Sequence, residues 1–223
     1  MYEIKKEIQA RLQELEQEES VCIFYACDSG SRAWGFPSAD SDYDVRFLYI
    51  HPQNWYLGID IKRDVIERPS NDLIDLSGWD IRKALQLFRR SNPPLLEWLN
   101  SPIIYQQRLD IVDKIKTLMP EYYSPKSCLY HYLHMAEGNF REYLKGEFVW
   151  VKKYFYVLRP ILACKWIEAG YGVVPMEFEV LVDRIVASGE LKEAMKELLW
   201  CKKSGQELDK GPRIPIIAEF VEA

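Results

Sequence analysis

Residues 21–50 constrain the fold more than any other stretch of this chain. The apolar run from Val21 to Cys27 fills seven consecutive positions with β-branched, aromatic and small apolar residues, which reads as a buried strand, and it ends at the turn residues Gly30 and Ser31. A spacer of ten residues leads to Asp42 and Asp44, separated by Tyr43 and followed by the strand-like Val45-Arg46-Phe47-Leu48-Tyr49-Ile50. Side chains at i and i+2 of a strand leave the same face about 6.5 to 7 Å apart, so both carboxylates face one way.

That pairing has a chemical consequence. Two ionised carboxylates about 5 Å apart repel by roughly 3 kcal/mol at an effective dielectric near 20, and a divalent cation removes the penalty. Mg²⁺, with Mn²⁺ as its substitute, prefers carboxylate and phosphate oxygens and keeps several waters, which suits two or three Asp and a nucleoside triphosphate. Gly30 and Ser31 supply the other half of such a site, because glycine lets backbone amides approach a phosphate without a β-carbon in the way. Arg32, one position on, has two readings: a bidentate phosphate clamp, or a salt bridge to Asp28 or Asp40. Arg46 lies two residues past Asp44 on the same strand face, where pairing with a site carboxylate is favoured over contact with phosphate.

A buried strand, a Gly-Ser turn, a ten-residue spacer and a strand opening Asp-x-Asp together resemble the core signature of the polymerase β-type nucleotidyltransferase superfamily. More narrowly, GSRAWGF followed by SDYDVRFLY is similar to the bacterial and phage nucleotidyltransferases called RNA-ligase-associated proteins, the RlaP group. The likeness continues through DLSGWDIRKALQLFRRSNPPLLEWLNSPIIY, SPKSCLYHYLHMAEGNFREYL and KKYFYVLRPILACKWIE, and so covers most of the chain. It implies a metal-dependent transferase of a nucleoside monophosphate group, with a third acid on a neighbouring strand. It further implies a helical second half whose cationic residues serve phosphates and whose aromatic residues serve the base.

The candidate third acid is Asp75, flanked by apolar neighbours in the short strand Leu73 to Leu76, since a carboxylate among core-facing residues needs a site or a partner. Its rivals are Glu67, on a strand near Asp64 to Arg68, and Asp80. Asp80 is discounted because Ser77-Gly78-Trp79-Asp80 fits a capping box with Ser77 as N-cap, ahead of a helix from Ile81 to Arg90. An amphipathic helix, Tyr2 to Glu19, precedes the first strand, and Ile103 to Tyr105 reads as the last strand of the sheet.

From about Arg108 the pattern is helical only. Ser124-Pro125 opens a long helix to about Lys145, with Ser as N-cap and Pro at its first position, and Phe148 to Ala169 reads as another, kinked near Tyr156 by Pro160. On that helix Lys152, Lys153 and Arg159 can share a face toward a triphosphate, and His131, His134 and Asn139 on the preceding one can line the same cleft. The expected organisation is α+β: residues 1–105 form a small mixed nucleotidyltransferase sheet flanked by helices, and 106–223 an all-helical lobe closing the nucleotide cleft.

The expected function is therefore nucleotidyl transfer from a nucleoside triphosphate, ATP first, to an acceptor hydroxyl on an RNA end, a protein or a small molecule, releasing pyrophosphate. Asp42, Asp44 and Asp75 are the expected metal and catalytic residues, with Gly30, Ser31, Arg32, Lys153 and Arg159 holding the nucleotide. The alternatives are an AMP-transferring toxin or antitoxin component, a small-molecule-modifying transferase, and a catalytically silent nucleotide-binding adaptor. A net charge of -5 and a pI near 5.4 argue against coating nucleic acid through bulk positive charge. The 5 Cys, at unrelated spacings, read as reduced core residues of a cytoplasmic protein, and no segment has the character of a signal peptide or membrane span.

Overall fold

Ile8, Leu12 and Leu15 recur on one stripe of the first helix, α1 (Tyr2–Glu19), and all three are buried. Burying that stripe requires a flat apolar partner, and the strands that follow provide it. The computed structural model describes residues 2–39, 41–68, 73–206 and 208–223. It divides into two compact units, Met1–Ala33 with Ser41–Tyr123, and Trp34–Asp40 with Ser124–Ala223.

In the first unit, α1 leads into β1 (Cys22–Asp28) and β2 (Tyr43–Ile50), then a helical turn α2 (Gln53–Tyr56), β3 (Val65–Arg68) and β4 (Ile74–Asp80). Two helices, α3 (Ile81–Arg89) and α4 (Pro93–Leu99), precede β5 (Ile104–Gln107), and α5 (Ile111–Thr117) and α6 (Met119–Tyr122) complete it. The strands form one mixed sheet in the order β3-β4-β2-β1-β5, in which only β2 and β4 run parallel. The fold class is thus α+β, as the sequence implies.

One face of the sheet packs on α1. Val45, Phe47 and Tyr49 of β2 and Ile74 and Leu76 of β4 join Ile8, Leu12 and Leu15 in a single core. Alternation along the strands then sends Asp44, Arg46 and Leu48, with Asp75, Ser77 and Trp79, to the opposite face. Half of that face is covered: Trp79 stacks on Trp98 of α4 at 3.7 Å, and the Tyr25 hydroxyl donates to the Trp98 carbonyl at 2.6 Å. The other half, where β2 and β4 begin, carries the carboxylates.

Two details of the sheet escape the sequence pattern. A β-bulge in β1 between Ile23 and Tyr25 resets the alternation, so that Tyr25 reaches α4 while Ala26 stays in the core on α1. The strand expected over Leu73 to Leu76 runs on to Asp80, so Ser77 is a strand residue and Asp80 is itself the N-cap of α3, accepting from the Arg82 amide at 2.8 Å. Gly78 explains the extension: a β-carbon there would lie 2.2 Å from the Phe47 ring, so a close strand contact occupies the position expected to lie inside a capping box.

The second unit is built on α7 (Pro125–Tyr143), β6 (Phe148–Trp150), a 3₁₀ turn at Val151–Lys153, α8 (Tyr154–Glu168), α9 (Phe178–Ile185), α10 (Glu190–Lys203), β7 (Lys210–Pro212) and α11 (Pro215–Glu222). Ser124 caps α7 with Pro125 at its first position, matching the sequence signal. The helix expected from Phe148 starts only at Tyr154, because Phe148, Val149 and Trp150 pair with Pro212, Gly211 and Lys210 in an antiparallel ribbon. The N–H that Pro160 lacks would otherwise bond the Tyr156 carbonyl, and α8 continues past it. Helix α8 is buried along most of its length and therefore shows little amphipathic pattern. Among the described residues no helix is long and apolar enough to cross a membrane.

Candidate active site

Asp44 and Asp75 are register partners on the parallel pair of β2 and β4, which sets them side by side on the open half of the sheet. Between them stands Arg46. Its guanidinium donates to Asp44 Oδ1 at 3.1 Å and to Asp75 Oδ2 at 2.8 Å, so one cation serves both carboxylates. Asp42 precedes β2 and is exposed. Burial pushes the Asp44 carboxyl above its ordinary value; Arg46 pulls it down, and the negative charges of Asp75 and Asp42 push it up again. Asp42 and Asp75, the other two acids named from the sequence, thus both act electrostatically on Asp44.

The turn after β1 presses against this pair. A β-carbon on Gly30 would sit 1.8 Å from Asp44 Oδ2 and 2.6 Å from its Cγ, so any other residue there would displace the Asp44 carboxylate. The Ser29 amide donates to the Asp44 carbonyl at 2.9 Å, tying turn to strand. Ser31 is half-buried in the same turn. Arg32 spends its guanidinium on backbone: it donates to the carbonyls of Ser41 at 2.6 Å and Asp42 at 3.2 Å and lies 3.7 Å over the Tyr43 ring. It thereby fixes the approach of the chain to Asp42. Of the acids weighed as its partner, Asp40 lies outside the described residues and Asp28 is engaged elsewhere.

Asp28 is the residue that sequence reasoning missed. Fully buried, it accepts from the Gly30 amide at 3.1 Å and the Ala33 amide at 3.3 Å through Oδ1, and from the Tyr105 hydroxyl at 2.8 Å through Oδ2. Its own carbonyl accepts from the Ser101 hydroxyl at 2.6 Å. Burial raises the Asp28 carboxyl above its usual range, against these hydrogen bonds. A carboxylate bonding the amide two residues on is an Asx turn, and an Asp directly before Ser-Gly was the available signal.

The rival acids sit differently. Glu67 lines an open pocket of about 410 Å³ with Arg46, Asp75 and Ser77, while its carboxylate pairs with Arg63. Asp80 is buried at the far end of β4, held by the Arg82 amide and the Tyr56 hydroxyl, about 16 Å along the strand from Asp75. Lys153 and Arg159 belong to the second unit. Lys153 lies 4.3 Å over both the Tyr143 and Tyr156 rings, and Arg159, 2% exposed, donates to the Met176 carbonyl. On α7, His134 is exposed near Glu137, His131 is half-buried, and Asn139 donates to the Met135 carbonyl.

The model of the RlaP family, described as "RNA repair pathway DNA polymerase beta family", matches residues 4–223. The chain belongs to this family. An RlaP assignment accords with the Gly-Ser turn and the acid pair just described. A relative from Bacillus subtilis (strain 168), named uncharacterized protein YcgL, is 51% identical over 219 residues, covering 98% of this chain and 84% of that protein. The solved structure of a nucleotidyltransferase-like protein from Exiguobacterium sibiricum 255-15 matches at 15% identity with a TM-score of 0.37, covering 90% of this chain and 73% of that one. Nucleotidyl transfer is the chemistry that RlaP membership suggests, and polymerase β-type transferases generally use divalent metals.

Whether such a metal fits can be judged from the donor set. Among the described residues no three His, Cys, Asp or Glu side chains are gathered as a ready metal cage. The pair Asp44 and Asp75 nevertheless already embraces a cation, the Arg46 guanidinium, with hard oxygen donors of the kind Mg²⁺ prefers. The donor chemistry of Asp44 and Asp75 fits a divalent ion.

Proposed function

We propose that the protein is a metal-dependent nucleotidyltransferase that moves a nucleoside monophosphate from a nucleoside triphosphate, ATP first, to an acceptor hydroxyl. The observation that carries this reading is the side-by-side register of Asp44 and Asp75, against a turn whose Gly30 leaves no room for a β-carbon beside Asp44. Asp42, Asp44 and Asp75 would hold Mg²⁺ or Mn²⁺, which when bound supplies charge neutralisation for the triphosphate. The amides of Gly30 and Ser31 are assigned to the phosphates, and Arg32 keeps the chain rigid between that turn and Asp42. Asp75, the more exposed of the paired acids, is assigned the acceptor proton. The acceptor oxygen bonds to the α-phosphorus as the bond to the pyrophosphate oxygen breaks, so the nucleotide is transferred and pyrophosphate leaves. An RNA end is the first acceptor to test, given the family's description, and a protein hydroxyl the second.

One observation favours a silent nucleotide-binding adaptor instead: Arg46 occupies both carboxylates. The two readings separate in one experiment. The protein is incubated with α-labelled nucleoside triphosphates, Mg²⁺ and either RNA or a protein mixture, and pyrophosphate and label transfer are followed. Transfer in the wild type, lost in Asp42→Asn and Asp75→Asn, is expected. Absence of pyrophosphate with every nucleotide would establish the adaptor.

A further inference from the structure

The ribbon of β6 and β7 in the second unit holds none of the residues assigned to the transfer chemistry. Alternation along β6 buries Val149 and turns Phe148 and Trp150 outward together, 69% and 37% exposed. Lys210 is the cross-strand partner of Trp150 and lies 5.2 Å from its ring centre, and Lys152 comes within 5.8 Å of the same ring. The 3₁₀ turn then carries Lys153 to a second aromatic pair, Tyr143 and Tyr156. From Lys145 to Tyr154 there are three lysines and one acid, Glu147, in a chain whose net charge is -5. Across the ribbon, the sequence from 207 to 213 holds two acids, Glu207 and Asp209, and two bases, Lys210 and Arg213, the latter paired with Glu222.

Exposed aromatic rings with ammonium groups beside Trp150, Tyr143 and Tyr156 are a specific combination. The buried centre of a protein interface is depleted of lysine, so a protein partner would favour the rings without the charges. A single nucleic-acid strand uses both, since its bases stack on flat rings and its phosphates seek cations. We propose that this ribbon and the turn after it bind single-stranded nucleic acid, with bases on Phe148 and Trp150 and phosphates on Lys152, Lys153 and Lys210. As the anchor of an acceptor strand the surface rests on the transferase reading above; as a binding surface it stands on the second unit alone.

The test uses the full chain and fluorescein-labelled 12-nucleotide probes, as single-stranded RNA, single-stranded DNA of the same sequence, and duplex, followed by anisotropy at low salt. Both single strands, or RNA alone, are expected to bind more tightly than the duplex, and Glu14→Gln, exposed on α1 and outside the ribbon, to bind as the wild type does. The double variant Phe148→Ala/Trp150→Ala should weaken binding about ten-fold or more. Lys152→Ala/Lys210→Ala should flatten the slope of log K against log salt by about 1.4, two phosphates at ~0.7 each. Binding unchanged in both double variants, or a duplex bound as tightly as the strands, overturns the proposal. So does a change in sedimentation with no change in binding, which assigns the face to self-association. Strand binding without pyrophosphate release sinks the transferase reading and keeps this one; nucleotide transfer without strand binding does the reverse.

Discussion

Replacing Arg46 by methionine isolates the electrostatics of the site, because methionine keeps the apolar stem and removes the charge shared by Asp44 and Asp75. Neighbouring strands lie about 4.8 Å apart, so the two uncompensated carboxylates repel by ~3 kcal/mol at an effective dielectric near 20. Their side chains are 34% and 41% exposed, and solvent screening reduces this to about 1–2 kcal/mol. At about 2–4 °C per kcal/mol for a chain of this size, Arg46→Met should melt ~2–8 °C below the wild type in EDTA. Millimolar Mg²⁺ should then raise the variant's Tm more than the wild type's, because the ion no longer competes with a guanidinium and saturation at 100 Kd contributes about 2.7 kcal/mol. Scanning calorimetry with and without Mg²⁺ measures both effects. Equal Mg²⁺ responses in the two proteins, or no loss of stability in EDTA, would refute the idea that Arg46 occupies a cation site.

Three further outcomes are expected. Gly30→Ala, whose methyl would meet Asp44 Oδ2 at 1.8 Å, should cut nucleotide transfer at least 100-fold, whereas Gly78→Ala, directed at the Phe47 ring at 2.2 Å, should cost about 1–3 kcal/mol of stability in urea and spare the acid pair. Asp28 has a carboxyl raised by burial, so the folded chain holds a proton that the unfolded chain has released, and stability from this group falls as pH rises from 3.8 through the raised value. Subtracting the urea-derived stability curve of Asp28→Asn from that of the wild type should leave this downward slope; parallel curves would contradict it. Arg32→Lys keeps the charge but cannot span the carbonyls of Ser41 and Asp42 and stack on Tyr43, so transfer should fall about ten-fold with KM for the nucleotide rising less than kcat falls, a split read from initial rates.

How far the sequence led depended on whether a feature was local. The strands around Asp42 and Asp44 were legible because an apolar run and an Asp-x-Asp lie within a few residues of each other, and the position of Arg46 at i+2 sufficed to place it beside a carboxylate. That Asp75 would be the register partner of Asp44 depends on parallel pairing of β2 with β4, two strands that β3 separates in sequence, which no window of sequence contains. The β1 bulge hid which of its residues face α1, and residues 148–153 were read as helix because strands of three residues are shorter than any reliable alternation. Asp80 displaced Ser77 as cap because Gly78 extends the strand under Phe47. Arg159 looked like one of several cations on a shared face, while its burial beside the Met176 carbonyl comes from segments distant in sequence.

The spacer between the Gly-Ser turn and Asp42 holds one further lesson. Phe36 in its middle stacks on Phe155 at 4.5 Å and meets Phe178 edge-on, the Phe178 amide donates to the Trp34 carbonyl at 3.0 Å, and Lys202 reaches the Ser38 hydroxyl at 2.8 Å. The segment inserted between the two halves of the acid site's own sequence motif thus belongs to the other unit, with Phe36 and Ser38 buried in it. Neither unit can be cut out as one uninterrupted polypeptide: a fragment starting at Ser124 would open a hole where Phe36 belongs, and one ending at Tyr123 would carry that ring with nothing to cover it.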